Sequence, residues 1–211
     1  RFDRVVELPR THKAIEPVKE FVGNKRVLVG GSTWPADEAL IQDLLSEYQD
    51  WKAIIAPHEI HDEHIEQLLK LFPSALRFSQ FGRYSAEEIA REQVLIIDNI
   101  GMLSSLYYYG DIAYIGGGFG AGIHNTLEAA TYGIPVIFGP KYEKFKEAMD
   151  LLELGAGFPV SSKEELSNIF AALKDPAKLN MAGESAKNYV HTRAGATQII
   201  MKYLETERLI G

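Results

Sequence analysis

The stretch Ile115–Pro140, with the sequence IGGGFGAGIHNTLEAATYGIPVIFGP, decides which fold this chain can adopt. It predicts a buried strand, a glycine-rich turn, a short helix opened by His124 and Asn125, and a second buried strand. Such a turn brings backbone amides and the positive end of a helix to one point, an arrangement that suits a phosphate group. Glu128 lies one turn into the helix and is placed to reach a neighbouring ribose.

Short apolar strands and amphipathic helices alternate on both sides of this stretch. Runs that are apolar on both faces are typical of parallel strands covered by helices. The pattern predicts an α/β fold, a doubly wound (Rossmann-like) parallel sheet of about six or seven strands with helices on both faces. We assign residues 1–24 to a linker or crossover segment and residues 25–211 to one domain. The predicted strands are Val27–Gly30, Lys52–Ala56, Leu76–Ser79, Val94–Asp98, Ile112–Ile115, Val136–Phe138 and Phe158–Val160. The predicted helices are Pro35–Tyr48, Asp62–Phe72, Met102–Tyr109, Glu143–Leu154, Lys163–Leu173, Ala177–Val190 and Ala196–Arg208.

Glycine and polar residues collect where the predicted strands end. Right-handed crossovers place all the carboxyl ends on one edge of the sheet, where such folds bind ligands. We therefore expect one ligand site at this edge. The residues that end the first six strands there are Gly30–Trp34, Pro57–Glu59, Arg77 and Ser79, Asp98–Gly101, the glycine loop, and Gly139–Lys141.

The glycine loop has other interpretations. Gly116, Gly118 and Ala121 fit a loose dinucleotide fingerprint, but they follow the fifth strand, and no acidic residue closes the next strand. The glycines could serve only a close turn between a strand and a helix. In the same way, His124 and Asn125 could be a helix cap and nothing more.

Two further features have alternative explanations. Trp34 is placed either to stack on a base or to plug the loop from below. The segment HEIHDEH, residues 58–64, contains the residue types of a metal site, but nothing in it orders a closed ligand set. Solvation of a polar helix face explains that segment more simply.

Composition excludes several classes of function. The chain has 211 residues, of which 46% are hydrophobic and 24% are charged, as in an ordinary soluble domain. Its net charge of −7 argues against binding to nucleic acid and against adhesion to an anionic membrane. No cysteine is present for disulfide or thiolate chemistry, and no signal peptide is recognisable. Because the sequence opens at Arg1 without a methionine, we expect a fragment of a longer protein.

Several motifs in order resemble those of the 3-deoxy-D-manno-octulosonic acid (Kdo) transferases, which are GT-B glycosyltransferases of lipopolysaccharide assembly. The resemblance runs from about Arg1 to the end of the chain and corresponds to the C-terminal, donor-binding half of the GT-B fold. The matching motifs are GGSTWPADE (Gly30–Glu38), APHE (Ala56–Glu59), Arg77 with Ser79, DNIGML followed by YGDIAYIGGG (Asp98–Gly118), and HNTLEAATYGIPVIFGP (His124–Pro140).

This resemblance implies a domain that binds CMP-Kdo, the donor from which the family moves Kdo to a lipid A precursor, with inversion and with neither a metal nor a cofactor. Arg77 and Asn125 are implied phosphate ligands, and Glu128 a ribose ligand. The full set of implied donor-binding residues is Gly31, Ser32, Pro57, His58, Arg77, Gly101, Met102, Gly117, Gly118, His124, Asn125 and Glu128.

The resemblance also implies a division of labour. The catalytic base of the family, a glutamate, belongs to the N-terminal half, so no catalytic residue and no transferase activity are expected in this chain alone. The family implies work at the cytoplasmic face of the bacterial inner membrane, with membrane contact through the other half and no nucleic-acid partner. A GT-B transferase or epimerase that uses a UDP-sugar, or a nucleotide-binding module without enzyme activity, stays open as an alternative.

Overall fold

A computed structural model describes residues 1–206 of the chain. Within them, seven strands form one sheet in the order β3-β4-β2-β1-β5-β6-β7, and every neighbouring pair is parallel. This confirms the predicted doubly wound α/β fold. The strands are β1 (Arg26–Thr33), β2 (Trp51–Pro57), β3 (Leu76–Arg77), β4 (Val94–Ile96), β5 (Ile112–Ile115), β6 (Val136–Phe138) and β7 (Gly157–Pro159).

Helices cover both faces of the sheet. The predicted helix Ala196–Arg208 is observed as far as Thr206, and Arg208 lies outside the described residues. The α-helices are α1 (Phe2–Val5), α2 (Leu8–Thr11), α3 (Glu16–Val22), α4 (Pro35–Glu47), α5 (Asp62–Leu71), α6 (Ala86–Arg91), α7 (Leu103–Leu106), α8 (Leu127–Ala130), α9 (Lys146–Glu153), α10 (Lys163–Leu173), α11 (Pro176–Thr192) and α12 (Ala196–Thr206). None of these helices has the length and apolar character needed to cross a membrane.

The region after β3 differs from the prediction. The third strand ends at Arg77, and a 3₁₀ helix, Phe78–Arg83, follows it. Helix α6 comes next and was not predicted, although Ser85 and Glu88 form a reciprocal capping box that marks its start in the sequence. That helix has only six residues, which is too short for a clear hydrophobic period.

The segment of residues 1–24 is more ordered than a linker. It contains α1, α2 and α3, and Val18 and Phe21 of α3 are 0% and 1% exposed. Short helices with few apolar positions give little periodic signal, so their burial was not visible in the sequence. The boundary that we placed at residue 25 stays a prediction.

The central strands have apolar side chains on both faces and lie inside the core. Their carboxyl ends form the edge of the sheet at which we expect the ligand site. Along β1, Val27 and Val29 pack into the core cluster on one side of the sheet, and Leu28 packs into the cluster on the other side. All seven residues of β2 are buried. Because β1, β2 and β5 are neighbours in the middle of the sheet, their carboxyl ends lie side by side.

Candidate functional site

The glycine loop follows β5 and lies directly against the end of β1. A Cβ atom on Gly116 would overlap the carbonyl oxygen of Ser32, and one on Gly31 would overlap the buried hydroxyl of Tyr107. Gly117 has a φ of +92°, which only glycine adopts without strain. These positions need glycine because two backbones and a core side chain meet here. The glycines therefore do serve a close turn, and a role in ligand binding stays a separate prediction.

The same loop also lies against the end of β6. A Cβ on Gly118 would lie 2.5 Å from the Cα of Gly139, so the two glycines allow direct backbone contact. Lys141 fixes this contact, because its amide donates to the carbonyl of Gly118 at 3.0 Å and its Nζ donates to the carbonyl of Gly120 at 2.8 Å. The loop is therefore held from both neighbouring strands.

Helix α8 starts later than predicted. It begins at Leu127, so His124 and Asn125 lie in the segment before it rather than in its first turn. Asn125 still acts as a local cap, because its Oδ1 accepts from the amide of Leu127 at 3.1 Å. Its Nδ2 donates to Oε1 of Glu128 at 2.9 Å, which gives that half-buried carboxylate a partner within the chain.

Several amides at the start of α8 are free to bind a ligand. In the part of the chain that the structure describes, the amides of Asn125, Thr126, Glu128 and Ala129 donate to no acceptor. Thr126 and Ala129 are buried residues, and buried amides in proteins are almost always paired. These amides follow the glycine loop directly, so an anion bound there would complete their hydrogen bonding.

Asp37 anchors the loop from below, and sequence reasoning did not assign it to the site. Its carboxylate is buried and accepts from the amides of Gly117 at 2.9 Å and Trp34 at 3.0 Å, and from the hydroxyl of Tyr114 at 3.0 Å. Burial raises the pKa of Asp37, and the two amide bonds oppose that shift. Asp37 thus joins the end of β1 to the glycine loop.

Three aromatic rings stack at this edge, each from a different strand end. The ring of His58 lies 4.8 Å from that of Trp34 and 4.4 Å from that of His124, both at small interplanar angles. Nε1 of Trp34 donates to Nε2 of His124 at 3.3 Å. Trp34 therefore contacts two predicted site residues directly, and whether it also stacks on a base stays a prediction.

The charge state of His124 follows from its surroundings. Burial lowers the pKa of His124, the neighbouring His58 lowers it further, and Asp37 opposes the shift. The ring is consequently neutral at neutral pH. A neutral ring next to free amides can donate one hydrogen bond without adding a full charge.

A cavity of about 220 Å³ opens beside this stack. Pro57, His58 and Gly101, three of the predicted site residues, line it together, and Gly101 has a φ of +90°. Its other lining residues are Ala56, Ile60, Ile97, Asn99, Ile100 and Leu103. Met102 is not among them, and its sulfur accepts from Nδ2 of Asn99 at 2.9 Å.

Arg77 lies away from the glycine loop. It ends the edge strand β3, which is separated from β5 by β4, β2 and β1, so about 19 Å of sheet lies between them at the usual strand spacing. Its Nε is bound to the buried carboxylate of Asp98 at 2.8 Å. Ser79 donates to Asp98 as well, through its amide and its hydroxyl. Burial alone would raise the pKa of Asp98, but Ser79 and Arg77 hold it below its ordinary value.

The histidines of residues 58–64 face different partners. His61 contacts the exposed Glu59, whereas His64 is buried and contacts Oε2 of Glu38 at 3.0 Å. Among the described residues, no three or more His, Cys, Asp or Glu side chains are grouped to hold a metal ion. The contact between His64 and Glu38 joins α5 to α4.

Comparison with known proteins identifies relatives of the chain. No family model matches it. Among curated proteins, the 3-deoxy-D-manno-octulosonic acid transferase of Aquifex aeolicus (strain VF5) is 32% identical over an alignment that covers 79% of this chain and 52% of that protein. The chain is a relative of the Kdo transferases. It spans about half or less of the length of the curated relatives that it matches, 41% for the transferase of Rickettsia bellii (strain RML369-C).

Solved structures extend the relationship with the Kdo transferases to the fold. The C-terminal CMP-Kdo binding domain of WaaA from Acinetobacter baumannii superposes with a TM-score of 0.69 at 21% identity, over 91% of this chain and 98% of that domain. HepE from Anabaena in complex with UDP-glucose gives a TM-score of 0.65 at 16% identity, over 96% of this chain and 55% of HepE. The fold is therefore that of the C-terminal domain of a GT-B glycosyltransferase.

The resemblance to Kdo transferases that the sequence motifs indicated is confirmed, and the roles of individual residues stay predictions. Most of the twelve predicted site residues lie at the ends of neighbouring central strands. The residues brought together there are Gly31, Ser32, Pro57, His58, Gly117, Gly118, His124, Asn125 and Glu128, with Gly101 across the cavity. Arg77 lies on the edge strand β3, four strand positions from β5 and its glycine loop, and Met102 lies outside the cavity lining.

Proposed function

We propose that this chain is the donor-binding domain of a Kdo transferase and binds CMP-Kdo at the carboxyl edge of its sheet. The observation that carries the proposal is the group of four amides, those of Asn125, Thr126, Glu128 and Ala129, that donate to no acceptor among the described residues, next to the stacked rings of His58 and His124. The similarity to curated Kdo transferases supports the choice of the donor.

The free amides suit the single phosphate of CMP. They follow the glycine loop and open a helix, so both the N–H groups and the local dipole favour an anion. As the sugar leaves, negative charge grows on this phosphate. Fixed donors that already point at the developing charge stabilise the transition state without reorganising.

The base and the ribose have separate places in the site. The cavity beside Pro57 and Gly101 is mainly apolar and is the proposed pocket for cytosine. Glu128 is the second residue of α8, and its carboxylate is the proposed acceptor for the ribose hydroxyls. Arg77 is too far along the sheet to share the phosphate with these amides, so we give it no part in that contact.

In the complete enzyme, Kdo would pass to a lipid A precursor with inversion. By analogy with the family, the attacking acceptor, the glutamate base and the membrane contact would belong to another part of the protein, at the cytoplasmic face of the inner membrane. The residues of this chain would bind and release the nucleotide. We therefore expect the 211-residue chain to bind CMP but not to transfer Kdo by itself.

Calorimetric titration of the chain with CMP and with 2′-deoxy-CMP tests the proposal. Glu128→Ala should weaken CMP binding by about tenfold to a hundredfold, because a hydrogen bond to a charged group is lost. It should also abolish the preference for CMP over the deoxy form. Arg77→Ala should change CMP affinity much less, and Glu153→Ala, at an exposed acid of α9, serves as the control.

The outcome that would sink the proposal is a native chain that binds no CMP, or a Glu128→Ala variant with unchanged affinity and unchanged preference for the ribose 2′-hydroxyl. The fold match to a UDP-glucose complex keeps a UDP-sugar enzyme as the second candidate. Titration with UDP decides between the two, since the proposed donor requires tighter binding of CMP than of UDP.

A further inference from the structure

We propose that Trp34 is a positioning residue that fixes the tautomer of His124, so that Nδ1–H of His124 donates to the nucleotide phosphate. This inference rests on the proposed function, because it concerns the same donor site. It adds a residue that the resemblance did not assign and gives His124 a defined chemical role.

The tautomer follows from which groups can donate. The indole N–H of Trp34 can only donate, and it lies 3.3 Å from Nε2 of His124. Nε2 must therefore accept, and in a neutral ring the proton then lies on Nδ1. In free histidine the neutral ring carries its proton mostly on Nε2, so Trp34 selects the less common form.

The indole is itself held in place. The amide of Trp34 donates to the buried carboxylate of Asp37 at 3.0 Å, and the same carboxylate accepts from the amide of Gly117. The ring of His58 stacks on both Trp34 and His124. Backbone and ring contacts together fix the direction of the indole N–H toward Nε2.

The other nitrogen of His124 is available to a ligand. Within residues 1–206, Nδ1 of His124 has no hydrogen-bond partner, and it is not among the polar atoms sealed from solvent without one. The amide of His124 is already bound to the carbonyl of Gly116. The next two amides along the chain, of Asn125 and Thr126, are free, so one phosphate can accept from them and from Nδ1–H.

The surroundings of His124 favour a neutral ring at neutral pH. Burial and His58 lower the pKa of His124, and Asp37, which raises it, is the carboxylate nearby. Protonation would place a proton on Nε2 and break the bond from Trp34. The structure therefore favours the neutral Nδ1–H form of His124.

Nitrogen-15 NMR of the full chain measures the tautomer directly, without any ligand. We expect His124 in the native chain to carry its proton on Nδ1. Trp34→Phe keeps a stacking ring but deletes the donor, and it should shift His124 toward the Nε2–H form. Trp51→Phe is the matched control, because it makes the same change at the other tryptophan, whose Nε1 has no partner.

Calorimetry with CMP and cytidine then links the tautomer to the phosphate. Trp34→Phe should weaken the affinity for CMP about fivefold, the cost of one imperfect hydrogen bond to a charged group. The affinity for cytidine, which has no phosphate, should be the same in the variant and in the native chain. Trp51→Phe should keep the native tautomer and the native CMP affinity even if its melting temperature falls.

Each failure has a distinct signature. A native His124 with its proton on Nε2, or a Trp34→Phe variant with unchanged tautomer or unchanged CMP affinity, overturns the role of Trp34. Equal losses of affinity for CMP and for cytidine overturn the phosphate contact, because cytidine has no phosphate. Trp34 would then act on binding of the nucleoside. A native chain with the Nδ1–H tautomer that binds no CMP overturns the proposed function, and the phosphate contact with it.

Discussion

At the scale of single residues, Glu38 and His64 form a buried pair beneath the site. Nδ1 of His64 lies 2.9 Å from the carbonyl oxygen of Glu59, and Nε2 lies 3.0 Å from Oε2 of Glu38. A carbonyl oxygen can only accept, so Nδ1 of His64 donates to Glu59. The hydroxyl of Thr33, in β1, donates to Oε1 of Glu38 at 2.9 Å. The pair thus ties β1, α4 and α5 together.

We predict that Glu38→Ala and His64→Ala each lower the free energy of unfolding by about 3 kcal/mol, because each leaves a buried polar partner unpaired. The double variant should lose at least about 1 kcal/mol less than the two single losses together, since the residues are in contact. Urea unfolding measures both. Lys19→Ala, which breaks the exposed pair with Glu16, should cost less than about 0.5 kcal/mol. Strict additivity of the two buried changes would contradict the pairing.

The residues at the strand ends were predictable from the sequence. The burial of the acids Asp37 and Glu38 beside them was not. Trp34, His58 and His124 each follow a strand, so the rule for carboxyl ends places them on one edge. Asp37 and Glu38 look like the ordinary acids of a helix first turn, which are usually solvated. Their burial depends on groups far along the chain, Gly117 and Tyr114 for Asp37 and His64 for Glu38.

At the scale of elements, Lys52 in the fully buried strand β2 joins that strand to helices α3 and α6. Its Nζ donates to the carbonyls of Phe21 in α3 at 2.7 Å and of Ile89 in α6 at 2.8 Å. It also lies 4.3 Å from the ring of Phe21. Burial, with a smaller effect of Lys25, lowers the pKa of Lys52 to about 8, and Glu92 opposes the shift.

This shift predicts a stability that rises with pH. In the unfolded chain the amine titrates near its ordinary pKa of ~10.4, so between about pH 8 and that value the unfolded state binds a proton that the folded state does not. Across this range, the free energy of unfolding of the native chain should therefore rise by up to roughly 3 kcal/mol relative to that of Lys52→Met. The neutral amine still donates to both carbonyls. Urea unfolding of both proteins at about pH 7.5 and about pH 10 measures the gain. Parallel pH curves would contradict it.

At the scale of the whole molecule, the class of fold was predictable and the lateral order of strands was not. Alternating strands and helices gave the parallel sheet, because each parallel connection needs a crossover. The order β3-β4-β2-β1-β5-β6-β7 depends on how helices pack on each face, which the linear pattern does not encode. That order separates Arg77 from the glycine loop by four strand positions. The sequence motifs implied a phosphate contact for Arg77, but they could not show this separation.

The same limit applies to residues 1–24, and one substitution tests whether they belong to the domain. Phe21 is 1% exposed and packs in the core, whereas Glu20 beside it is exposed. Phe21→Ala should cost about 3–5 kcal/mol, and Glu20→Ala less than about 0.5 kcal/mol. Circular dichroism and tryptophan fluorescence should report one shared unfolding transition for Phe21→Ala, because α3 and the sheet have a common core. A separate linker would leave the melting of the sheet unchanged in that variant, and such a result would support the boundary at residue 25.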